Sequence, residues 1–198
     1  MPKAKWLESK FNGNDKYHAF PLLELLHITK LKALEDWFEA GVAAEDGCLF
    51  HCLIQLRVYG CPNITSLPLA DEIARLAALR YLIMIICPNL ISLGRYREVE
   101  TTNNCHLMLS DLFISDPSVL LMEPLRSIAS LKKLSIWSND ELFTFTNESE
   151  QWFMKVRSSL SEMNFLFLKS LQSLPSSLES LSSLKDLYIE DVPMFSKI

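Results

Sequence analysis

Glycine is scarce in this chain, with five residues in 198. So few, and so scattered, they build no phosphate-cradling loop: G-x-x-x-x-G-K-[ST], G-x-G-x-x-G and G-x-S-x-G are all absent, as is H-E-x-x-H. The four histidines, His18, His27, His51 and His106, have no adjacent nucleophile and orienting acid in a suggestive order. The reading is therefore a non-enzyme with no cofactor. A basic excess is missing too. The formal net charge is −5 and the pI is near 5.4, which argues against a nucleic-acid partner, since that would favour a basic stripe. Long apolar runs are also lacking. MPKAKWLESKFNG at the N-terminus holds no secretory h-region. The longest apolar run, residues 81–87, is too short to span a bilayer and is flanked by Arg80 and Pro88. These absences predict a soluble chain with no membrane span, cytoplasmic or nucleo-cytoplasmic.

Cysteine is present in an odd number, as Cys48, Cys52, Cys61, Cys87 and Cys105. Without a secretory segment this predicts reduced thiols. Cys48-x-x-His51-Cys52 has no second ligand pair at finger spacing, so no metal site is expected there. Asn63-Ile64-Thr65 and Asn147-Glu148-Ser149 match glycosylation sequons by pattern only, and read as chance.

What the chain does have is rhythm. In residues 53–68, LIQLRVYGCPNITSLP, apolar groups fall at Leu53, Leu56, Val58, Cys61, Ile64 and Leu67. That is L-x-x-L-x-L-x-x-C-x-x-I-x-x-L, close to the spacing of a leucine-rich repeat. Leu56 and Val58 alternate with period two, so both point to one face of a short strand. The template recurs from Leu23, Leu53, Leu79, Leu109, Leu131, Leu160 and Leu184, at intervals of 30, 26, 30, 22, 29 and 24 residues. One such unit cannot bury its own apolar edge, so each needs neighbours stacked beside it. The prediction is an α/β solenoid: an arc with a parallel concave sheet of about seven strands and loops or short helices on the convex side. Residues 1–20 read as a remnant of a preceding repeat or a cap, and residues 21–198 as the repeat domain. Trp37 and Phe38 are expected to pack under an insertion over residues 35–52. Residues 71–79, DEIARLAAL, carry helical propensity, with two acids at the start where the helix dipole favours them. Residues 94–106 and 146–157 read as polar loops where disorder concentrates. Pro117 replaces the usual Asn or Cys of its repeat, which predicts a bent repeat or a shortened strand. Leu187, Ile189 and Phe195, in the last repeat, are expected to face water or a neighbour.

Residues flanking the second core position of each strand point away from the core. They form two columns, and the middle of both is apolar and aromatic. The candidate partner-binding residues are Arg57, Tyr59, Ile83, Ile85, Phe113, Trp137, Leu166 and Tyr188. An exposed apolar patch rimmed by charge is the usual anatomy of a protein interface. The alternative is that residues 94–106 or 146–157 fold over the patch.

LRVYGCPNITSLP, LIMIICPNLISL, FPLLELLHITKLKALEDW and LQSLPSSLESLSSLKDLYIEDVP carry a further likeness. They resemble the repeats of plant intracellular coiled-coil nucleotide-binding leucine-rich-repeat (NLR) disease-resistance proteins, over about residues 20–198. Val192 stands where that family has Cys. The resemblance implies a recognition module in plant defence. Its partner would be a protein effector from a pathogen or insect, or a guarded host protein. It also implies contact with the nucleotide-binding and coiled-coil domains of a parent receptor, and an autoinhibitory scaffold docking on that nucleotide-binding domain is the alternative. With no Walker A lysine and no Met-His-Asp motif, nucleotide binding does not carry over to this chain.

Overall fold

The computed structural model describes residues 22–36, 52–67, 78–91, 93 and 107–193. Their strands are β1 (Leu25–Thr29), β2 (Gln55–Tyr59), β3 (Tyr81–Ile85), β4 (Asp111–Ile114), β5 (Lys133–Trp137), β6 (Glu162–Leu166) and β7 (Asp186–Glu190). They form one seven-stranded sheet in sequence order, and every pairing is parallel. The register follows the repeat. Leu26, Leu56, Leu82, Leu112, Leu134, Met163 and Leu187 lie in one row across the sheet. Two residues on, Ile28, Val58, Met84, Ile114, Ile136, Phe165 and Ile189 form the next. Both rows point to the core, because side chains two apart share a face of a strand. From β2 to β6 every member of both rows is buried. At the last described strand Leu187 is 43% exposed and Ile189 half-buried.

The turn after each strand is as regular as the strand. Lys30, Gly60, Ile86, Ser138, Phe167 and Asp191 each follow a strand directly and all have φ between 51° and 62°. Glycine tolerates this left-handed region freely, while a β-branched residue such as Ile86 is strained there. The turn recurs because it aims a backbone N–H at the next strand. Lys30 N donates to Tyr59 O at 2.8 Å, and Gly60 N donates to Ile85 O at 2.9 Å. Ser138 N and Phe167 N make the same bond to Leu166 O and Glu190 O.

Repeat four departs from the pattern, for a local reason. Proline disfavours helical backbone in the residue before it, and Asp116 before Pro117 is extended, at φ −107° and ψ 115°. The strand is one residue shorter, and a 3₁₀ helix over Pro117–Leu121 follows at once, capped by Asp116 accepting from Ser118 N. Ser115 makes good the lost bond: its hydroxyl accepts from Ile86 N at 3.0 Å. The shortened strand expected from Pro117 is present.

Small polar groups tie successive turns together. Asn63 Nδ2 donates to Lys32 O at 2.7 Å, Asn89 Nδ2 to Pro62 O at 2.8 Å, and Asn139 Nδ2 to Ser115 O at 2.9 Å. The sequon nitrogen of Asn63 is thus engaged within the fold.

Residues 146–157 correct the sequence reading, which had them as a polar loop. They carry the helix α1 (Asn147–Val156). Thr146 caps it, its Oγ1 accepting from Ser149 N, and Glu148 and Glu150 lie in the first turn, where the dipole favours acids. Trp152, Phe153 and Val156 are buried against the core. Trp152 Nε1 donates to Leu125 O at 2.8 Å. The helix packs between the 3₁₀ helices Pro117–Leu121 and Ser176–Ser180, on the core side of the sheet. It therefore does not cover the opposite face. The segment 1–20, Trp37 and Phe38, residues 71–77 of the expected helix, the loop 94–106 and Phe195 lie outside the described residues.

Glu150 clamps α1 to the following repeat, accepting from Ser176 N and Ser177 N at 2.8 Å each. Burial alone would push its carboxyl up, but hydrogen bonds from Ser177 and Ser176 together outweigh burial and hold it below the ordinary 4.5. A carboxyl with a lower pKa folded than unfolded stabilises the fold above the unfolded value, and that stability is lost as pH falls through the folded value. Glu150→Gln should therefore lower Tm at neutral pH, with the gap to the parent closing as pH drops below 4.5. Thermal melts over a pH series check this, and a pH-independent gap would count against the clamp.

Candidate binding face

The alternation that buries one side of the sheet presents three columns on the other. The first holds Leu25, Gln55, Tyr81, Asp111, Lys133, Glu162 and Asp186. The second runs from His27 and Arg57 through Phe113 to Tyr188, and the third from Thr29 and Tyr59 through Trp137 to Glu190. Sequence reasoning took the second and third columns and missed the first. The signal was available, since the same period-two step runs one residue further back along each strand.

On the β2–β3 half, the Gln55 amide lies within hydrogen-bond reach of the exposed Arg57; with its oxygen turned that way it accepts from Nε at 2.7 Å and Nη2 at 2.8 Å. Tyr59 and Ile83 are half-buried beside it. Ile85 is only 1% exposed. That corrects its place as an open contact: it supports the face from within and offers almost no surface to a partner.

The β4–β7 half carries a polar network within the apolar patch. Lys133 pairs with Glu162, and its Nζ also stands 5.6 Å from the centre of the Phe113 ring, a cation–π contact. Lys133's hydrogen bond, and then that of Asn164, holds the Glu162 carboxyl below the usual carboxylate value. Asn164 Nδ2 donates to Ser135 Oγ at 2.9 Å and to Glu162 Oε1 at 3.0 Å. Its Oδ1 is buried without a hydrogen-bond partner, although the residue is only 7% exposed. An acceptor left so costs about 1–3 kcal/mol relative to a bonded one. Tyr188, 55% exposed, donates its hydroxyl to Glu190 Oε2 at 3.1 Å, and that carboxylate raises the phenol above its ordinary pKa.

These groups border an open groove of about 760 Å³, lined by Phe113, Leu166 and Tyr188 together with Lys133, Glu162, Asn164 and Asp186. Of the residues expected from sequence, the groove brings together Phe113, Leu166 and Tyr188. Trp137, 36% exposed, adjoins it through its register with Leu166 and packs at 6.4 Å against Phe167, itself 37% exposed. Arg57, Tyr59 and Ile83 lie on the other half of the sheet.

Cys61 and Cys87 are not activated thiols. Burial pushes the Cys61 thiol up, and burial pushes Cys87 up to about 11, so both stay protonated at neutral pH. Cys52, Cys61 and Cys87 are free thiols. Among the described residues, no group of three His, Cys, Asp or Glu side chains could hold a metal ion, and no helix is long and apolar enough to cross a membrane. No protein-family model, curated protein or solved structure matches the chain.

Proposed function

We propose that the chain is a leucine-rich-repeat recognition module, a solenoid whose concave face binds a protein. Sequential parallel strands, one per repeat, with Asn and Cys turns tied to the preceding turn, support the repeat reading. The observation that carries the binding role is the exposure of Trp137 and Tyr188 beside Phe113 and Leu166, on the face the core does not use. Aromatic anchors within a polar rim are how protein interfaces concentrate their energy. Binding rather than catalysis fits a sheet face with no nucleophile–base pair. The NLR-like repeat phrases point to plant defence, with a pathogen or insect effector or a guarded host protein as the partner. The free thiols accord with a cytoplasmic setting.

The test is to change Trp137 and Tyr188 to alanine, singly, and titrate each variant with candidate effectors and with an NLR nucleotide-binding domain. Each anchor is expected to cost about 2 kcal/mol of affinity or more, with Tm little changed because both side chains are exposed. Undiminished binding by both variants would remove this face as the recognition surface.

A further inference from the structure

The charge on the open face is unevenly divided. Over β1–β3 its one fully charged side chain is Arg57, and no acid stands in any of the three columns. Over β4–β7 the same columns hold four carboxylates, Asp111, Glu162, Asp186 and Glu190, against one ammonium, Lys133. Lys185 at the groove's mouth brings the balance only to four against two. Lys133 and Glu162 neutralise each other, with Lys133 also over the Phe113 ring, which leaves Asp111, Asp186 and Glu190 against Lys185. Asp186 has no side-chain partner among the described residues, and it lines the groove with its carboxylate free. A second observation is independent of charge. Phe113, Leu166 and Tyr188 line the same groove. A free carboxylate asks for a cationic donor, and the apolar side chains beside it ask for an apolar group.

We infer that the β4–β7 groove takes an exposed peptide segment of a protein partner in which a lysine or arginine stands next to an apolar or aromatic residue. The cationic head goes to Asp186, and the apolar neighbour packs on Phe113, Leu166 and Tyr188. Charge complementarity selects this occupant over an acidic segment, because like charges brought together at an interface are disfavoured. The inference rests on the reading of this face as a protein-binding surface.

The probe is a random-sequence peptide library displayed on phage, selected in parallel on the full chain, on Asp186→Lys and on Tyr188→Ala. The expected result is enrichment of peptides with Lys or Arg beside an apolar residue. Resynthesised, these should bind less tightly as salt rises, lose about fivefold in affinity to Asp186→Asn and lose measurable binding to Asp186→Lys. Enrichment of acidic or purely apolar peptides that still depend on Tyr188 would overturn the cationic segment while leaving the binding face in place. Enriched peptides that bind all variants equally would overturn both. Failure to enrich any sequence on the parent chain would overturn the groove as a peptide site. Circular dichroism of the variants separates lost binding from lost fold.

Discussion

Trp152→Ala should lower the unfolding free energy by about 3–5 kcal/mol, the range for removing a large buried aromatic. Trp152 is 1% exposed, meets Phe153 edge-on at 5.7 Å, and donates its indole N–H to Leu125 O at 2.8 Å. The loss therefore has two parts, apolar contact and one buried hydrogen bond. Trp152→Phe separates them. It keeps much of the ring and removes only the indole bond, the Leu125 carbonyl still accepting from Ile128 N at 3.2 Å, which should cost about 0.5–1.5 kcal/mol. Urea unfolding reads both changes as shifts in midpoint. An alanine variant within about 0.5 kcal/mol of the parent would behave as a surface site, and α1 would then not be packed as described.

The second large effect lies in the row that organises the sheet. Leu82→Ala and Leu134→Ala should each cost about 2–5 kcal/mol, since both side chains are fully buried and each would leave a cavity. Leu22, 83% exposed, is the control, and its alanine variant should stay within about 0.5 kcal/mol. The distribution of the damage is more telling than its size. β5 pairs with β4 and β6 only, so amide exchange in Leu134→Ala should quicken there first, with β1 and β2 least affected. Uniform acceleration across all seven strands would mean a single cooperative core rather than coupled repeats.

Much of this was legible in the chain itself. The period-two pairs, from Leu26 and Ile28 to Leu187 and Ile189, located every described strand and assigned its core face, because alternation leaves a short strand one way to bury two apolar residues. Pro117 announced the shortened β4 through its effect on Asp116. Other features were not legible. Residues 146–157 read as a loop because their charges are local, whereas the burial of Trp152 and Phe153 depends on Leu125 and Phe145, which only the fold brings near. Ile85 read as a surface residue for the converse reason: alternation tells which face a side chain takes, and neighbours decide whether that face is open.

By itself, then, the sequence determined the seven described strands, their register and the rows of side chains that form the core. Those depend on spacing alone, which survives any arrangement of the rest. The tertiary structure decided that α1 packs on the core side, and that Trp137 and Tyr188 are exposed beside the half-buried Phe113 and Leu166. It also decided that Lys133 is neutralised by Glu162 while, among the described residues, Asp186 and the Asn164 oxygen are left without partners. Charge balance and unmet hydrogen bonds belong to groups 22 to 29 residues apart in the chain, brought side by side by the parallel register, and no local pattern encodes them.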